Sequence, residues 1–150
     1  MALVALDIEK LKDRPPHLLS YGQKKRVTIA SVLAMDPKII IFDEPTSGLD
    51  PLHAAEIIAL LDGLHQQGKI IIISTHDMNL AYQWANRIVV LNNGRVLGDG
   101  PASDIFKNTA LVNSCGLELP LILQIHKALK NNIKEPASVA ELVEQINAHL

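Results

Sequence analysis

The fold is decided by the stretch Ile39-Ile40-Ile41-Phe42-Asp43-Glu44. Four apolar, β-prone residues end in two adjacent carboxylates, which predicts a buried strand with charge at its C-terminal tip. Open α/β sheets bind their ligands at such tips. Asp43 and Glu44 are therefore candidate functional residues, although two acids at this position can also do no more than cap a strand and face water.

The order of these two acids suggests a division of chemical roles. Asp43 can hold a Mg²⁺ ion while Glu44 polarises a water molecule, an arrangement typical of enzymes that hydrolyse nucleotides. Such enzymes also need a loop that surrounds the phosphates. The sequence ahead of Ile39 shows no loop of this kind.

Length and composition restrict the class of protein. A chain of 150 residues with 48% apolar residues fits one domain. A net charge of −2 provides no basic field for nucleic acid or anionic lipid, and 3% aromatic residues argue against base-stacking platforms. The single Cys115 excludes an internal disulfide. The apolar runs at 39–42 and 70–73 are far shorter than the ~20 residues of a membrane span.

Two predicted helices flank the first strand. Ser20 and Gln23 form a capping-box pattern at the start of the first helix, and Asp36-Pro37 ends it. Asp50 is a good N-cap for the second helix, which Gly68 ends. The N-terminus at Ser20 is a candidate phosphate site because helix N-termini present unpaired N–H groups. The alternative is an ordinary capped amphipathic helix.

A second apolar strand covers 70–74 and is followed by Thr75-His76-Asp77. If the two strands are neighbours in a parallel sheet, His76 lies near Glu44 and can donate a hydrogen bond to a phosphate oxygen. A single histidine after a strand can equally be structural. The run 63–69 matches G-x-x-x-x-G-K, but a predicted helix precedes it and a strand follows, so we interpret it as a helix end.

The order of the elements predicts an α/β fold. Alternation of strand, helix and strand favours a parallel sheet with crossover helices over residues 1–100. Asn93-Gly94 is a strong hairpin turn near the end of that region. Residues 101–150 carry no strand pattern and are predicted to form a helical appendage, with helices near 104–107, 121–129 and 139–149.

Taken together, these residues resemble the ATP-binding subunits of ABC transporters. Residues 19–23 are similar to the family's signature motif, and 39–44 to its Walker B strand. Residues 47–50 are similar to the D-loop, and His76 to the switch histidine. The resemblance implies that 1–100 is the C-terminal portion of an ABC ATPase domain, a partial P-loop NTPase-type parallel sheet with flanking helices, and that 101–150 is a C-terminal helical appendage.

Details of the sequence resemble the cobalt and energy-coupling-factor branch of that family. They are Tyr21, the run Lys24-Lys25-Arg26-Val27 and the tail over 100–120. That branch imports transition metals or vitamins. The resemblance therefore implies an importer motor for cobalt, nickel or a vitamin, with ATP and Mg²⁺ as cofactors.

The resemblance also implies roles for individual residues. Asp43 would hold Mg²⁺ through water, and Glu44 would orient and deprotonate the attacking water. His76 would contact the γ-phosphate. The signature residues would contact the γ-phosphate of ATP bound to a partner subunit, and Asp50 would communicate across that interface. The signature residues in question are Ser20, Gly22 and Gln23.

The implied partners are a second ATP-binding subunit, as a homodimer or a heterodimer, and an integral membrane transport subunit. The chain would then act as a peripheral protein on the cytoplasmic face of the membrane. Nucleic acid is not expected as a partner. The sequence names neither the transported substrate nor the membrane subunit.

The sequence departs from the family because it contains no Walker A loop, adenine-stacking aromatic or glutamine loop ahead of residue 19. We therefore expect the C-terminal portion of a subunit, whether a split product, an internal start at Met1 or a truncation, that is inactive in isolation. Tyr21 stands where many relatives have glycine. The strand at 70–74 is expected to form an exposed apolar edge, prone to self-association or dependent on an N-terminal fragment.

Two alternatives of other classes stay open. One is the ATPase half of a DNA-repair or chromosome-maintenance protein, although long heptads and basic DNA-facing surfaces are missing from this sequence. The other is a non-catalytic dimerisation module in which 101–150 associates and the ATPase residues are relics.

Overall fold

The computed structural model describes Leu3, residues 6–129 and residues 133–148. The chain forms two compact units, Met1–Thr75 and His76–Leu150. Among the described residues, no helix is long and apolar enough to cross a membrane.

The first unit alternates helices and strands. Two short 3-10 turns, Glu9–Leu11 and Pro16–Leu18, precede helix α1 at Tyr21–Leu33. Strand β1 at Ile39–Asp43 follows, then helix α2 at Pro51–Gln66 and strand β2 at Ile70–Ser74. The run 63–69 thus ends a helix and leads into a strand, as predicted.

Strands β1 and β2 pair in parallel, with Ile39 opposite Ile70 and Asp43 opposite Ser74. The polypeptide returns from the end of β1 to the start of β2 through α2, which is the crossover that parallel strands require. The predicted parallel sheet with crossover helices is therefore confirmed. The register brings the C-terminal tips of both strands to the same edge.

The prediction that the strand at 39–42 is buried is wrong for one of its faces. Ile40 is only 2% exposed, whereas Ile41 is 72% exposed and its neighbour Ile72 on β2 is 48% exposed. Ile39 and Ile70 are exposed on the same face. A continuously apolar strand needs cover on both faces, and the described part of this unit covers one.

Helices on the covered face supply the core of the first unit. The buried residues are spaced three, four and seven positions apart along α2, so that they form one apolar stripe. The buried residues of these elements are Ile29 and Ala30 of α1, Ile40 of β1, and Ile57, Leu61 and Leu64 of α2, and Leu6, Ile8 and Leu19 are buried ahead of α1.

The second unit combines a hairpin with short helices. Helix α3 at Met78–Trp84 leads to strands β3 at Ile88–Asn92 and β4 at Arg95–Gly100, which pair antiparallel. Asn93 and Gly94 form the turn with φ of 50° and 72°, which confirms the predicted hairpin. The helices that follow are α4 at Ala102–Lys107, α5 at Thr109–Ser114, α6 at Leu121–Ala128 and α7 at Val139–Asn147.

The described residues of the second unit form two apolar clusters. In the first, Tyr82 and Phe106 meet edge to face, and its members on the later helices include Val112, Ile122 and Leu142. The second consists of Val90, Ile105 and Leu111. Three helices lie where helices were predicted, although His149, the predicted end of the last one, is outside the described residues. Helix α5 was not predicted because its two buried residues, Leu111 and Val112, are adjacent in the sequence and show no helical spacing.

The division into compact units differs in position from the predicted domain boundary. The boundary between the two units falls between Thr75 and His76, whereas the sequence predicted domains at 1–100 and 101–150. Helices beyond residue 101 share their core with Tyr82, and Ile88 packs against it. The assignment of 1–100 and 101–150 as separate domains stays a prediction.

Candidate functional site

The two predicted carboxylates lie at the tips of the parallel strands. Asp43 is opposite Ser74 in the strand register, and the Ser74 hydroxyl donates to Asp43 Oδ1. Thr75 Oγ1 donates to Glu44 Oε2 over 3.2 Å. Asp43 at the end of β1 is therefore held by the last residue of β2, and Glu44, the next residue, is held by the residue after β2. Both acids share the sheet edge where parallel sheets bind ligands.

The backbone of Glu44 adopts the left-handed conformation, with φ of 45°. A non-glycine residue is strained there by about 1–2 kcal/mol, and such strain persists where surrounding contacts hold it. The Glu44 N–H donates to the Ser74 carbonyl at 3.0 Å. The Glu44 carbonyl accepts from the Ser47 N–H at 3.2 Å, which closes the turn that follows β1.

A capping box begins α1, as predicted. Gln23 N–H donates to Ser20 Oγ at 3.3 Å, and Ser20 N–H donates to Gln23 Oε1 at 3.0 Å. The two side chains therefore hold the helix start in shape. A serine hydroxyl that accepts one bond can still donate its own hydrogen, and the glutamine amide nitrogen is a donor as well.

The start of α1 packs against the loop between β1 and α2. A Cβ built at Gly48 would lie 3.4 Å from Tyr21 Cε1, and Gly48 has φ of 72°, so the position requires glycine. A Cβ built at Gly22 would meet Leu49 at 3.9 Å and His53 at 4.0 Å. Tyr21 thus contacts the loop that contains the predicted D-loop.

Lys25 reaches from α1 into the same loop. Its ammonium Nζ donates to the carbonyl of Glu44 at 3.0 Å and to that of Ser47 at 3.2 Å. Nζ also lies 5.8 Å from the centre of the Tyr21 ring. Partial burial lowers the pKa of Lys25, and the negative charge of Glu44 opposes that shift.

Asp50 caps helix α2. Its Oδ1 accepts from the His53 N–H at 3.1 Å, and its Oδ2 lies 2.5 Å from His53 Nδ1. These contacts, the backbone hydrogen bond first, lower the pKa of Asp50. The predicted N-cap is confirmed, whereas the role of Asp50 across a subunit interface stays a prediction.

His76 follows Thr75 directly and is exposed at the start of the second compact unit. Its predicted position beside Glu44 stays a prediction. The roles of the other six predicted site residues also remain predictions. The structure brings Asp43 and Glu44 together, and through Lys25 and Tyr21 it joins them to the helix start that carries Ser20, Gly22 and Gln23.

A groove of about 410 Å³ runs between α1 and β1. Its wall is mainly apolar and includes Ile29, Ile40 and Phe42, and Asp43 also lines it. Neither Glu44 nor Ser20 lines it. The groove therefore lies beside the carboxylates but is not itself the predicted phosphate site.

Four residues of this site were not among the predicted site residues, although Lys25 belongs to a run that the sequence resemblance noted. Ser74 ends the second strand and Thr75 follows it, and the sheet-edge rule that selected His76 covers their positions too. Lys25 lies one helical turn after Tyr21, which places both on one face of α1. His53 lies three positions after the Asp50 cap, where the N–H that an N-cap side chain accepts from is expected.

Known proteins match this chain over most of its length. Residues 2–81 match the family model described as "AAA domain, putative AbiEii toxin, Type IV TA system". The chain is 45% identical over 97% of its length to the energy-coupling factor transporter ATP-binding protein EcfA2 of Methanospirillum hungatei, of which it covers 37%. It is 43% identical over 83% of its length to the cobalt import ATP-binding protein CbiO of Rhodobacter capsulatus, of which it covers 44%.

A solved structure agrees with these sequence matches. CbiO1 of Clostridium perfringens, part of the ABC transporter complex CbiONQ, superposes with a TM-score of 0.65 at 42% identity, over 84% of this chain and 51% of that one. The chain thus spans between about a third and a half of the length of these relatives. It belongs to the AAA-domain family that the model describes and is homologous to the ATP-binding subunits of ABC transporters of the cobalt and energy-coupling-factor branch.

Proposed function

We propose that this chain is part of an ATP-hydrolysing motor subunit in an ABC-type importer. In this proposal Asp43 and Glu44 are the carboxylates that take part in ATP hydrolysis. The observation that carries the proposal is the placement of Asp43 and Glu44, held by Ser74 and Thr75, at one edge of a parallel sheet. The relatives' names, an energy-coupling factor transporter ATP-binding protein and a cobalt import ATP-binding protein, support a transporter motor with cobalt as one candidate substrate. Nickel or a vitamin is proposed from the sequence resemblance alone.

Glu44 is proposed as the general base. Its Oε2 accepts from Thr75, which fixes the direction of the carboxylate, and Oε1 would accept the proton of the attacking water. His76 would donate a hydrogen bond to the γ-phosphate. Catalysis in phosphoryl transfer comes chiefly from positioning and charge, so these groups act by holding the reactants in line.

Asp43 fits the task of holding Mg²⁺ through water. Magnesium in nucleotide sites uses oxygen ligands and commonly only one or two carboxylates, with water and phosphate oxygens completing the shell. Within the described ranges, no group of three or more His, Cys, Asp or Glu side chains forms a cage for a metal. When bound, the ion would neutralise charge that develops on the phosphates.

The start of α1 is proposed as a second phosphate contact, toward ATP held by a partner subunit. Ser20, Gly22 and Gln23 lie in its first turn, where N–H groups and the positive end of the helix dipole favour an anion. Asp50, at the start of α2, would lie at the same subunit interface. The motor would then need a second ATP-binding subunit and a membrane subunit on the cytoplasmic face of the membrane.

These 150 residues are not expected to bind ATP well alone. Their G-x-x-x-x-G-K match at 63–69 ends helix α2, so the charge-assisted phosphate contacts of a binding loop would come from residues other than these 150. Each such contact contributes roughly 1.5–3 kcal/mol. Calorimetric titration of the purified chain with Mg-ATP should therefore show no micromolar binding, and micromolar affinity would refute this expectation.

Reassembly tests the proposal itself. The chain is mixed with a separately made polypeptide, taken from a relative, that carries a phosphate-binding loop, and phosphate release is measured. Restored hydrolysis supports the motor. Tight self-association of the chain without any hydrolysis would instead favour a non-catalytic dimerisation module.

A further inference from the structure

Lys25 makes contacts that an ordinary helix lysine does not make. Its ammonium donates to two backbone carbonyls, those of Glu44 and Ser47, at 3.0 and 3.2 Å. Both acceptors belong to the turn that follows β1, 19 and 22 residues further along the chain. One side chain of α1 therefore holds both ends of that turn.

A lysine ammonium usually stays in water, whereas these contacts hold that of Lys25 against the backbone of the turn. A lysine ammonium is strongly hydrated and its flexible stem loses rotamer freedom when the head is held in place. Lys24, the preceding residue of the same helix, is exposed, whereas Lys25 is half-buried. The carbonyls of the turn and the Tyr21 ring, 5.8 Å from Nζ, replace part of the water that Lys25 gives up.

The turn that Lys25 holds is strained at the residue proposed to be the base. Glu44 has φ of 45°, and its carbonyl accepts from both Lys25 Nζ and the Ser47 N–H. The backbone conformation decides where the Glu44 carboxylate points. A donor that stabilises the left-handed conformation therefore also fixes the direction of the carboxylate.

The geometry points to Lys25 as a positioning residue that holds Glu44 in its working orientation and joins it to the start of α1. Lys25 lies one turn after Tyr21 in the helix that Ser20 and Gln23 begin. A displacement of that helix start is thereby passed to the Glu44 turn. This role rests on the proposed function, in which the helix start contacts one nucleotide and Glu44 acts on another.

The first test needs no variant. Nitrogen-15 NMR of the lysine ammonium groups in the full chain should show slower solvent exchange and greater order for Lys25 than for Lys24, which serves as an internal control. Equal exchange and equal order for the two groups would overturn the inference, because a held ammonium cannot exchange as an exposed one does.

The second test compares Lys25→Met with Lys24→Met, a matched change on the neighbouring residue. Amide hydrogen exchange over 44–50 should become about 10- to 100-fold faster in Lys25→Met and stay unchanged in Lys24→Met. Lys25→Arg, which retains donors, should restore most of the protection. Unchanged exchange in Lys25→Met would contradict the inference, and if that variant does not fold, the NMR comparison above decides.

In the reassembled ATPase, Lys25→Met should lower kcat by roughly tenfold and leave KM for ATP within about twofold, since orientation rather than binding is lost. A merely structural defect would lower the active fraction without the recovery expected for Lys25→Arg. Hydrolysis that Lys25→Met leaves unchanged would overturn the role of Lys25 while the motor proposal stands. If no reassembly hydrolyses ATP, the proposed motor function is refuted. The NMR and hydrogen-exchange measurements would still decide whether Lys25 holds the turn.

Discussion

Each compact unit contains a two-stranded sheet, and the two sheets differ in what they bring together. In the parallel pair β1–β2, two segments separated by a whole helix end at the same edge, so Asp43 and Glu44 meet Ser74 and Thr75. In the antiparallel pair β3–β4, the end of one strand faces the start of the next across a two-residue turn. Parallel pairing therefore gathers functional groups from distant parts of the sequence, whereas the hairpin mainly folds the chain back.

The two sheets also differ in how the rest of each unit supports them. The end of the hairpin is held by the Arg87 guanidinium, which donates to both oxygens of Asp99 at 2.6 and 2.7 Å. At the parallel tips, Asp43 accepts from the Ser74 hydroxyl and Glu44 accepts from the Thr75 hydroxyl. The hairpin is thus supported by an ion pair of two charged side chains, and the tips of the parallel strands are joined by hydroxyl hydrogen bonds.

The largest effect is expected for Glu44→Gln in the reassembled ATPase. The amide cannot accept the proton of the attacking water, so hydrolysis should fall by about 10²- to 10⁴-fold, as measured by phosphate release. Glu118→Gln, an exposed change in the second unit, is the control. Equal hydrolysis by Glu44→Gln and the unchanged protein would remove Glu44 from the role of base.

Leu61→Ala tests the core that supports the parallel sheet. Leu61 is completely buried, and the cavity left by the substitution should lower the free energy of unfolding by about 2–5 kcal/mol in urea denaturation. Leu52 lies in the same helix but is largely exposed, so Leu52→Ala should change it by less than about 0.5 kcal/mol. Similar losses for both variants would mean that α2 does not pack on β1 and β2 as described.

The uncovered face of the parallel sheet should drive self-association. Four isoleucines, at 39, 41, 70 and 72, are exposed on that face, and exposed apolar patches commonly mark association sites. The double change Ile41→Thr with Ile72→Thr keeps β-branched side chains and should shift the protein toward monomer in sedimentation velocity. Val96→Thr on the exposed part of the hairpin is the comparison. A native chain that is already monomeric at high concentration would contradict the prediction.

The smallest effect concerns pH. Because the pKa of folded Asp50 is lowered, its charge favours the folded state above the unfolded value of about 3.9, and this contribution is lost as the pH falls through the folded value. Asp50→Asn keeps a good N-cap but removes the titration. The midpoint temperature of thermal unfolding should therefore fall less steeply between pH 5 and pH 3 for Asp50→Asn than for the unchanged chain.

The matching change on the hairpin is Asp99→Asn, since Arg87 lowers the pKa of Asp99 in the same direction. In both variants the midpoint temperature of unfolding should decrease less as the pH falls from 5 to 3. An acid limb identical to that of the native chain in Asp50→Asn would show that the cap contact does not persist in solution.

Much of the local structure followed from patterns within a few residues. The capping box at Ser20 and Gln23, the N-cap at Asp50 and the turn at Asn93-Gly94 all appear where the sequence predicted them. Each of these features depends on contacts between residues at most three positions apart. A short stretch of sequence therefore contains everything needed to predict it. The paired acids after an apolar strand were recognisable for the same reason.

Contacts between distant segments depended on register and packing, which no short pattern contains. Thr75 holds Glu44 from 31 residues away, and Lys25 reaches the Glu44 carbonyl from 19 residues away. The exposure of one face of β1 likewise depends on which other elements cover it, so an all-apolar strand could not reveal it. The sequence by itself determined which residues can do chemistry, and the tertiary structure decided which of them meet, because strand register and helix packing set distances that chain order leaves open.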